Sequence, residues 1–229
     1  MQYRRYNAEM EDILNQLEQT GRLPSLCDEN GEPSHFSQGK PSLLLHSCCG
    51  PCSSAVLERL IPHFAVTVFF YNPNILPLEE YEKRLSEQRR LLREMGDIPL
   101  LEGAHEPQRF LSLVRGFEEE PEGGARCERC FALRMEETAR VCKKEGYDLF
   151  TTTLTVSPHK NALQVNTAAE RAAKAAGVAA LPADFKKRGG YLRSLTLSRE
   201  HGLYRQSFCG CPFSMPKTSG IAPTSSEGV

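Results

Sequence analysis

Residues 43–60, LLLHSCCGPCSSAVLERL, decide how this chain folds. Three consecutive leucines make a short buried strand, Cys48-Cys49-Gly50-Pro51-Cys52 makes the loop, and Ser53 to Leu60 continues as a helix. A strand that turns directly into a helix opens a parallel α/β sheet, and ligands of such sheets lie beyond the carboxyl ends of the strands. In nucleotide-binding proteins that loop cradles phosphate. Neither GxxxxGK[ST] nor a Gly-rich Ser-Asp pyrophosphate loop is present here, and thiols take the phosphate position. A helix N-terminus also stabilises thiolates, which favours metal ligation.

The rhythm continues downstream. Ala65–Tyr71 (AVTVFFY) is a strand rich in β-branched and aromatic residues. Leu78–Met95 reads as a helix, Ile98–Leu101 as a strand and Pro107–Val114 as a helix. A Gly- and Glu-rich loop at 116–126 leads to a helix over Cys127–Glu145, then a strand at Tyr147–Leu154. A helix follows over His159–Ala176, with Ser157 as its N-cap and Pro158 at its start, and Val178–Leu181 is the last strand. Such alternation implies an α/β fold with a doubly wound, mostly parallel sheet.

Outside this unit the signals change. Tyr6, Met10, Ile13, Leu14 and Leu17 recur at helical spacing, so residues 3–20 form an added N-terminal helix that ends at Gly21. Residues 22–40 read as a loop. The expected organisation is therefore a helix and linker over 1–40, a single α/β catalytic domain over 41–215 whose end is a Cys-bearing segment after Ala183, and a disordered tail over 216–229.

Nine cysteines are distributed unevenly along the chain. Cys27 stands alone in the linker. Cys142 continues the Phe131, Met135 and Thr138 stripe of its helix and suits core packing. The other seven cluster as Cys48, Cys49 and Cys52, Cys127 and Cys130, and Cys209 and Cys211. Met1 to Thr20 is charged throughout, and no window reaches the roughly 18 apolar residues that span a bilayer. A cytoplasmic protein without a membrane partner is expected, and there clustered thiols serve metals or catalysis. Cys48, Cys49, Cys127 and Cys130 supply four thiolates, enough for a [4Fe-4S] cluster or a tetrahedral zinc. Cys209-Gly210-Cys211 is too short to wrap a metal comfortably, but it can close as a strained, reducible disulfide that carries two electrons.

The 28 basic and 29 acidic residues give a net charge of −1, which does not advertise a nucleic-acid partner. Two local groups could act against that mean: Arg84, Arg89, Arg90 and Arg93 on one helix, and Lys186, Lys187, Arg188 and Arg193 before the last cysteines. Each is either a solvated face or a nucleic-acid contact. His159 and Lys160 either simply begin their helix or contact a phosphate at its end.

Four co-linear stretches, SLLLHSCCGPCSSAVL, RCERCFALRMEETA, DLFTTTLTVSPHKN and YRQSFCGCPFS, resemble the QueH-type epoxyqueuosine reductases, from about Leu43 to Ser214. The resemblance implies the HUP-like sheet shared with adenine-nucleotide hydrolases. It implies an oxidoreductase that converts epoxyqueuosine to queuosine at the wobble position of tRNA, with a separate electron donor as a second partner. Carried over residue by residue, Cys48, Cys49, Cys127 and Cys130 would ligate a [4Fe-4S] cluster, and Cys209 and Cys211 would form the redox-active disulfide. The family is also associated with an additional mononuclear iron. Cys52 stands where an acidic residue can occur, so it is the candidate ligand there. Asp184, His159 and Tyr204 are candidates for the acid that assists loss of the epoxide oxygen. The rival readings are a cluster-dependent tRNA sulfur transferase, which would need the missing ATP loop, and a zinc-stapled RNA-binding module, which leaves Cys209 and Cys211 without a purpose.

Overall fold

The computed structural model describes residues 4–27, 33–35 and 39–215. Its centre is β3 (Ser42–His46), which pairs in parallel with β4 (Ala65–Phe70) on one side and β6 (Leu149–Thr152) on the other. Adding β5 (Leu100–Glu102) and β7 (Ala179–Ala180) gives a five-stranded, all-parallel sheet in the order β5-β4-β3-β6-β7. The doubly wound α/β expectation is met.

Side chains alternate across this sheet because successive residues of a strand face opposite ways. Leu43 and Leu45 point to a core shared with α1 (Tyr6–Thr20), α2 (Gly50–Leu60) and Val66 and Val68 of β4. Leu44 points the other way, into a core built with Phe131, Met135, Ala139 and Cys142 of α5 (Ala125–Glu145) and with Val165 and Ala169 of α6 (Ala162–Ala176). Cys142 is fully buried there, as its helical stripe predicts. α3 (Leu78–Glu94) covers Phe70 through Tyr81 and Leu85, and α4 (Pro107–Leu113) brings Phe110 against Cys130 and Cys211. Each core helix thus buries an apolar stripe set by the 3.6-residue period.

α1 packs Met10, Leu14 and Leu17 into the same core as β3, and Gly21 ends it in the left-handed region at φ 64° with its amide on the Leu17 carbonyl. Four expectations require correction. The stretch read as a loop after Gly21 holds an antiparallel pair, β1 (Arg22–Cys27) with β2 (Pro33–His35). α2 starts at Gly50 rather than Ser53, because Cys49 has extended backbone angles and Pro51 suits the first turn, so Cys52 is a helical residue. α6 starts at Ala162 rather than His159: the Asn161 side chain caps it by accepting from the Leu163 amide, while Ser157 accepts from His159 in a turn before it. The segment after Ala183 contains α7 (Gly190–Glu200), whose Gly, Ser and Thr content hides a helix from propensity alone. The tail at 216–229 lies outside the described residues.

Burial makes a measurable distinction between two leucines. Leu45 is fully buried on the central strand and Leu192 is 65% exposed on α7. Leu45→Ala should cost about 2–5 kcal/mol in denaturant unfolding, through lost transfer energy and a residual cavity. Leu192→Ala should stay within about 0.5 kcal/mol. Equal losses would contradict this placement of the core.

Candidate functional site

The site forms where β3, β4 and β6 end. Ser47 extends the β3–β4 ladder by donating its amide to Phe69, and the chain then leaves the sheet at Cys48 and Cys49. Ser47 is held twice more: its hydroxyl donates to Oε1 of buried Gln88, and its carbonyl accepts from Asn72. Cys49 is the N-cap of α2 and Cys52 lies in the first turn, so the turn returns Cys52 to the other two. The sulfurs of Cys48, Cys49 and Cys52 all lie within 4.8 Å of one another, a group that could hold a metal ion. Gln206 donates its side-chain amide to the Cys49 sulfur at 3.0 Å.

Cys127 and Cys130 sit at the N-terminal end of α5, as expected, but they are not part of that tight trio. Cys127 packs against the core containing Cys48 and Cys49, and its sulfur accepts from the Gly123 amide at 3.2 Å. Cys130 belongs instead to the small cluster that holds Cys211. Cys127, Cys130, Cys209 and Cys211 line one narrow cavity of about 30 Å³. Cys48, Cys52 and Cys209 line a larger one of about 300 Å³. Glu122, Arg134, His159, Lys160 and Cys209 are shared by the two. The bridge between the groups of cysteines is therefore Cys209, and Cys52 stands closer to Cys48 and Cys49 than either α5 thiol does.

Cys209 and Cys211 are both free thiols. Their loop turns at Gly210, where φ is 99° and an added Cβ would come within 2.8 Å of Ile75 Cγ1 and 3.1 Å of Arg84, so no other residue fits without a shift. Arg84 fastens the loop from α3: its guanidinium donates to the Phe208 and Cys209 carbonyls and is balanced by Glu80 at 2.6 Å. Of the group Arg84, Arg89, Arg90 and Arg93, read as either a solvated face or a nucleic-acid contact, Arg84 belongs to neither. Arg84 is only 1% exposed, Arg89 pairs with Glu102, and Arg90 pairs with Glu87 and Glu94.

Behind the thiols lies a buried cation that the sequence reading missed. Arg134 donates to Asn72 at 2.6 Å and to Nε2 of His46 at 3.3 Å. Nε2 also faces the Tyr71 carbonyl at 3.1 Å, and Nδ1 meets the Thr152 hydroxyl at 2.8 Å, so both ring nitrogens are engaged. Burial, reinforced by the Arg134 charge, pushes His46 down to about 3 and keeps it neutral. The available signal was spacing: positions 127, 130 and 134 fall on one face of a helix.

These charges sort the thiols. Hydrogen bonds from Cys49 and Cys52 hold Cys48 well below the usual thiol range, with Arg134 and Lys160 adding to the effect. Its partners move the other way: Cys49 is pushed up to about 12 by its bond to the Cys48 thiolate, and Cys52 also rises. Burial raises Cys130 to about 11 and raises Cys127 as well. In the last pair, the Cys211 hydrogen bond brings Cys209 down to about 5, helped by Lys160, and the same bond raises Cys211. Burial opposes the charge of Lys160, but the Cys48 and Cys209 thiolates outweigh it and keep the ammonium protonated.

Of the three acid candidates, His159 lines both thiol cavities. Asp184 is engaged by Lys186 at 2.6 Å and does not line either, and Tyr204 donates to Glu80 at 3.0 Å beneath Lys83, also away from them. Both are packed polar residues.

The low position of Cys209 sets a pH signature. Its nucleophilic thiolate persists above its pKa, so alkylation of the reduced, iron-free protein should favour Cys209 over Cys211 at neutral pH. The rate should fall only as pH drops through about 5. Peptide mass spectrometry after brief iodoacetamide treatment reads this directly. A rate that climbs steadily above neutral pH would mark Cys209 as an ordinary thiol.

Residues 43–217 match the family model described as epoxyqueuosine reductase QueH. The protein of that name from Streptococcus pyogenes serotype M1 is 40% identical over 187 residues, covering 80% of this chain and 73% of that protein. The one from Haemophilus influenzae is 38% identical over 186 residues, with 80% and 76% covered. The one from Thermotoga maritima is 34% identical over 177 residues, with 76% and 90% covered. The chain, with its thiols gathered at the carboxyl edge of a parallel sheet, belongs to the QueH family of epoxyqueuosine reductase enzymes.

Proposed function

We propose that this chain reduces epoxyqueuosine in tRNA to queuosine, in the cytoplasm, with electrons from a separate donor. Cys209 and Cys211 form the two-electron pair, and Cys48, Cys49, Cys127 and Cys130 ligate a [4Fe-4S] cluster. Cys52 is the thiol available to a further iron. The observation that carries this reading is the adjoining pair of cavities: one holds Cys48 and Cys52, the other Cys127 and Cys130, and Cys209 faces both. Residues 41–215 then act as the catalytic unit and 1–40 as its appendage.

The donor set fits such a cluster. The thiols are reduced, gathered near one strand end and largely withdrawn from water. Thiolates buried together need nearby positive charge, and Arg134 and Lys160 supply it. A bound cluster would accept and pass on one electron at a time. No helix of the described residues is long and apolar enough to cross a membrane.

Converting an epoxide to an alkene takes two electrons and two protons and releases the oxygen as water. Two thiols that close to a disulfide supply both electrons, and reduction by the donor restores them. Cys209 is already ionised, so the pair brings one proton, from Cys211. The second comes from the cavity wall, where protonated Lys160 stands beside His159. The cavity of about 300 Å³ is of the size that encloses a small organic group, and Arg205, Gln206 and Phe208 give it polar and aromatic walls. Arg84 keeps the dithiol loop at its edge.

The direct test incubates anaerobically purified protein with epoxyqueuosine-containing tRNA and a chemical reductant, followed by nucleoside mass spectrometry. Conversion to queuosine is expected, and intact epoxyqueuosine with iron-loaded protein would overturn the reading. Cys209→Ser with Cys211→Ser should lower turnover by roughly a thousandfold or more while iron content stays near wild type. Iron lost in that variant would make these residues ligands instead.

A further inference from the structure

We infer that the groove between the start of α1 and the Lys186–Arg188 turn holds the phosphodiester backbone of the tRNA substrate, and that it leads into the thiol cavity. The inference rests on the tRNA reading above.

The groove has a volume of about 930 Å³ and is open along one side. Arg4 and Arg5 form one wall, Lys186, Lys187 and Arg188 the other, and Asp184 is the single carboxylate residue on its lining. Its floor includes Pro158, His159 and Lys160, which also line the cavity of Cys48, Cys52 and Cys209. A chain of phosphates in the groove would therefore run past residues that also line the thiol cavity.

Not all of these cations are free. Arg4 pairs with Glu9 and Glu170, and Arg188 pairs with Glu11. Lys186 turns inward to Asp184 and to the carbonyls of Thr155 and Lys160, which makes it part of the wall rather than a contact. Arg5 and Lys187 differ: both are exposed, and neither enters an ion pair among the described residues. Unmatched cations on opposite walls of a groove attract a polyanion at little desolvation cost. Arg193, grouped with Lys187 by sequence, is bound to Glu58 and Glu200 and does not line the groove. Arg5 also precedes residues 43–217, so this wall is supplied by a part of the chain that the family model does not match.

The test uses the full chain loaded with iron and an unmodified tRNA transcript, with affinity measured by fluorescence anisotropy across a salt series. Arg5→Glu with Lys187→Glu should weaken binding at least tenfold at low salt and reduce the slope of log K against log salt by about two, one unit for each lost phosphate contact. Arg5→Ala with Lys187→Ala should give a smaller shift of the same sign. Melting temperature and iron content should match wild type in both. Arg93→Glu, an exposed reversal on α3, is the control and should leave the slope unchanged. On epoxyqueuosine-containing tRNA the double reversal should raise KM while kcat changes less than about twofold, since only ground-state binding is lost.

An unchanged affinity and slope in the double reversal would overturn the groove, and a flattened slope in Arg93→Glu would move the backbone to the α3 face. These outcomes separate from failure of the reductase reading. Wild type that binds tRNA through Arg5 and Lys187 yet leaves epoxyqueuosine intact keeps the groove and loses the reaction. Wild type that turns over while the double reversal binds normally keeps the reaction and loses the groove.

Discussion

One strand constrains everything else in this molecule. β3 is bonded on both flanks in parallel register, Ser42–His46 against Ala65–Phe69 and Leu43–His46 against Leu149–Thr152. Parallel pairing forces the connecting helices onto the faces and leaves the carboxyl ends of the strands free of crossovers. Cys48 and Cys49 leave the sheet at that edge, Asn72 and Asn74 follow β4 there, and the turn carrying His159 and Lys160 follows β6. Cys48 and Cys209, far apart in sequence, line one cavity at this edge.

The second constraint is electrostatic. Gathering several thiols in a dry interior raises their pKa values, as Cys127 and Cys130 show, and a protein that needs thiolates there must bring cations with them. Arg134 and Lys160, which both line the two thiol cavities, do this. A second charge beside Arg134 would be repelled, and His46 accordingly stays neutral and accepts the guanidinium hydrogen bond. The arrangement produces a division of labour within each group of thiols. Cys48 and Cys209 lie below the usual thiol range, and their hydrogen-bonded neighbours lie above it.

Much of the fold was legible because its signals are local. Leu43–Leu45 and AVTVFFY announce strands, and the stripes at Phe131, Met135 and Cys142 and at Met10, Leu14 and Leu17 announce the faces that the helices bury. Helix ends were less legible. Ser157-Pro158 has the form of a helix start, yet Asn161, four residues after Ser157, is the cap and accepts from the Leu163 amide. α7 carries no periodic apolar run strong enough to identify it, and its burial of Leu197 depends on packing against α2. At the site, the cysteine clusters were visible as residue types at short spacing. Their grouping was not: Cys52 joins Cys48 and Cys49 because α2 begins three residues earlier than its apolar pattern suggests. Arg84 was grouped with its helix's other arginines and Arg134 was missed, since only tertiary structure reveals that one grips the Cys209 loop and the other lies behind the thiols. Charge pairing is equally invisible in sequence. It left Arg5 and Lys187 open while neutralising Arg89, Arg90 and Arg193.

The central claim, that thiols from separate strand ends converge to hold an iron-sulfur cluster, is tested most directly by X-ray absorption at the iron edge on the anaerobically purified full chain. The expected spectrum has an all-sulfur first shell and a distinct iron–iron scattering path, which requires a cluster rather than a single ion. A first shell of nitrogen and oxygen without iron–iron scattering, or stoichiometric zinc in place of iron, would contradict the claim.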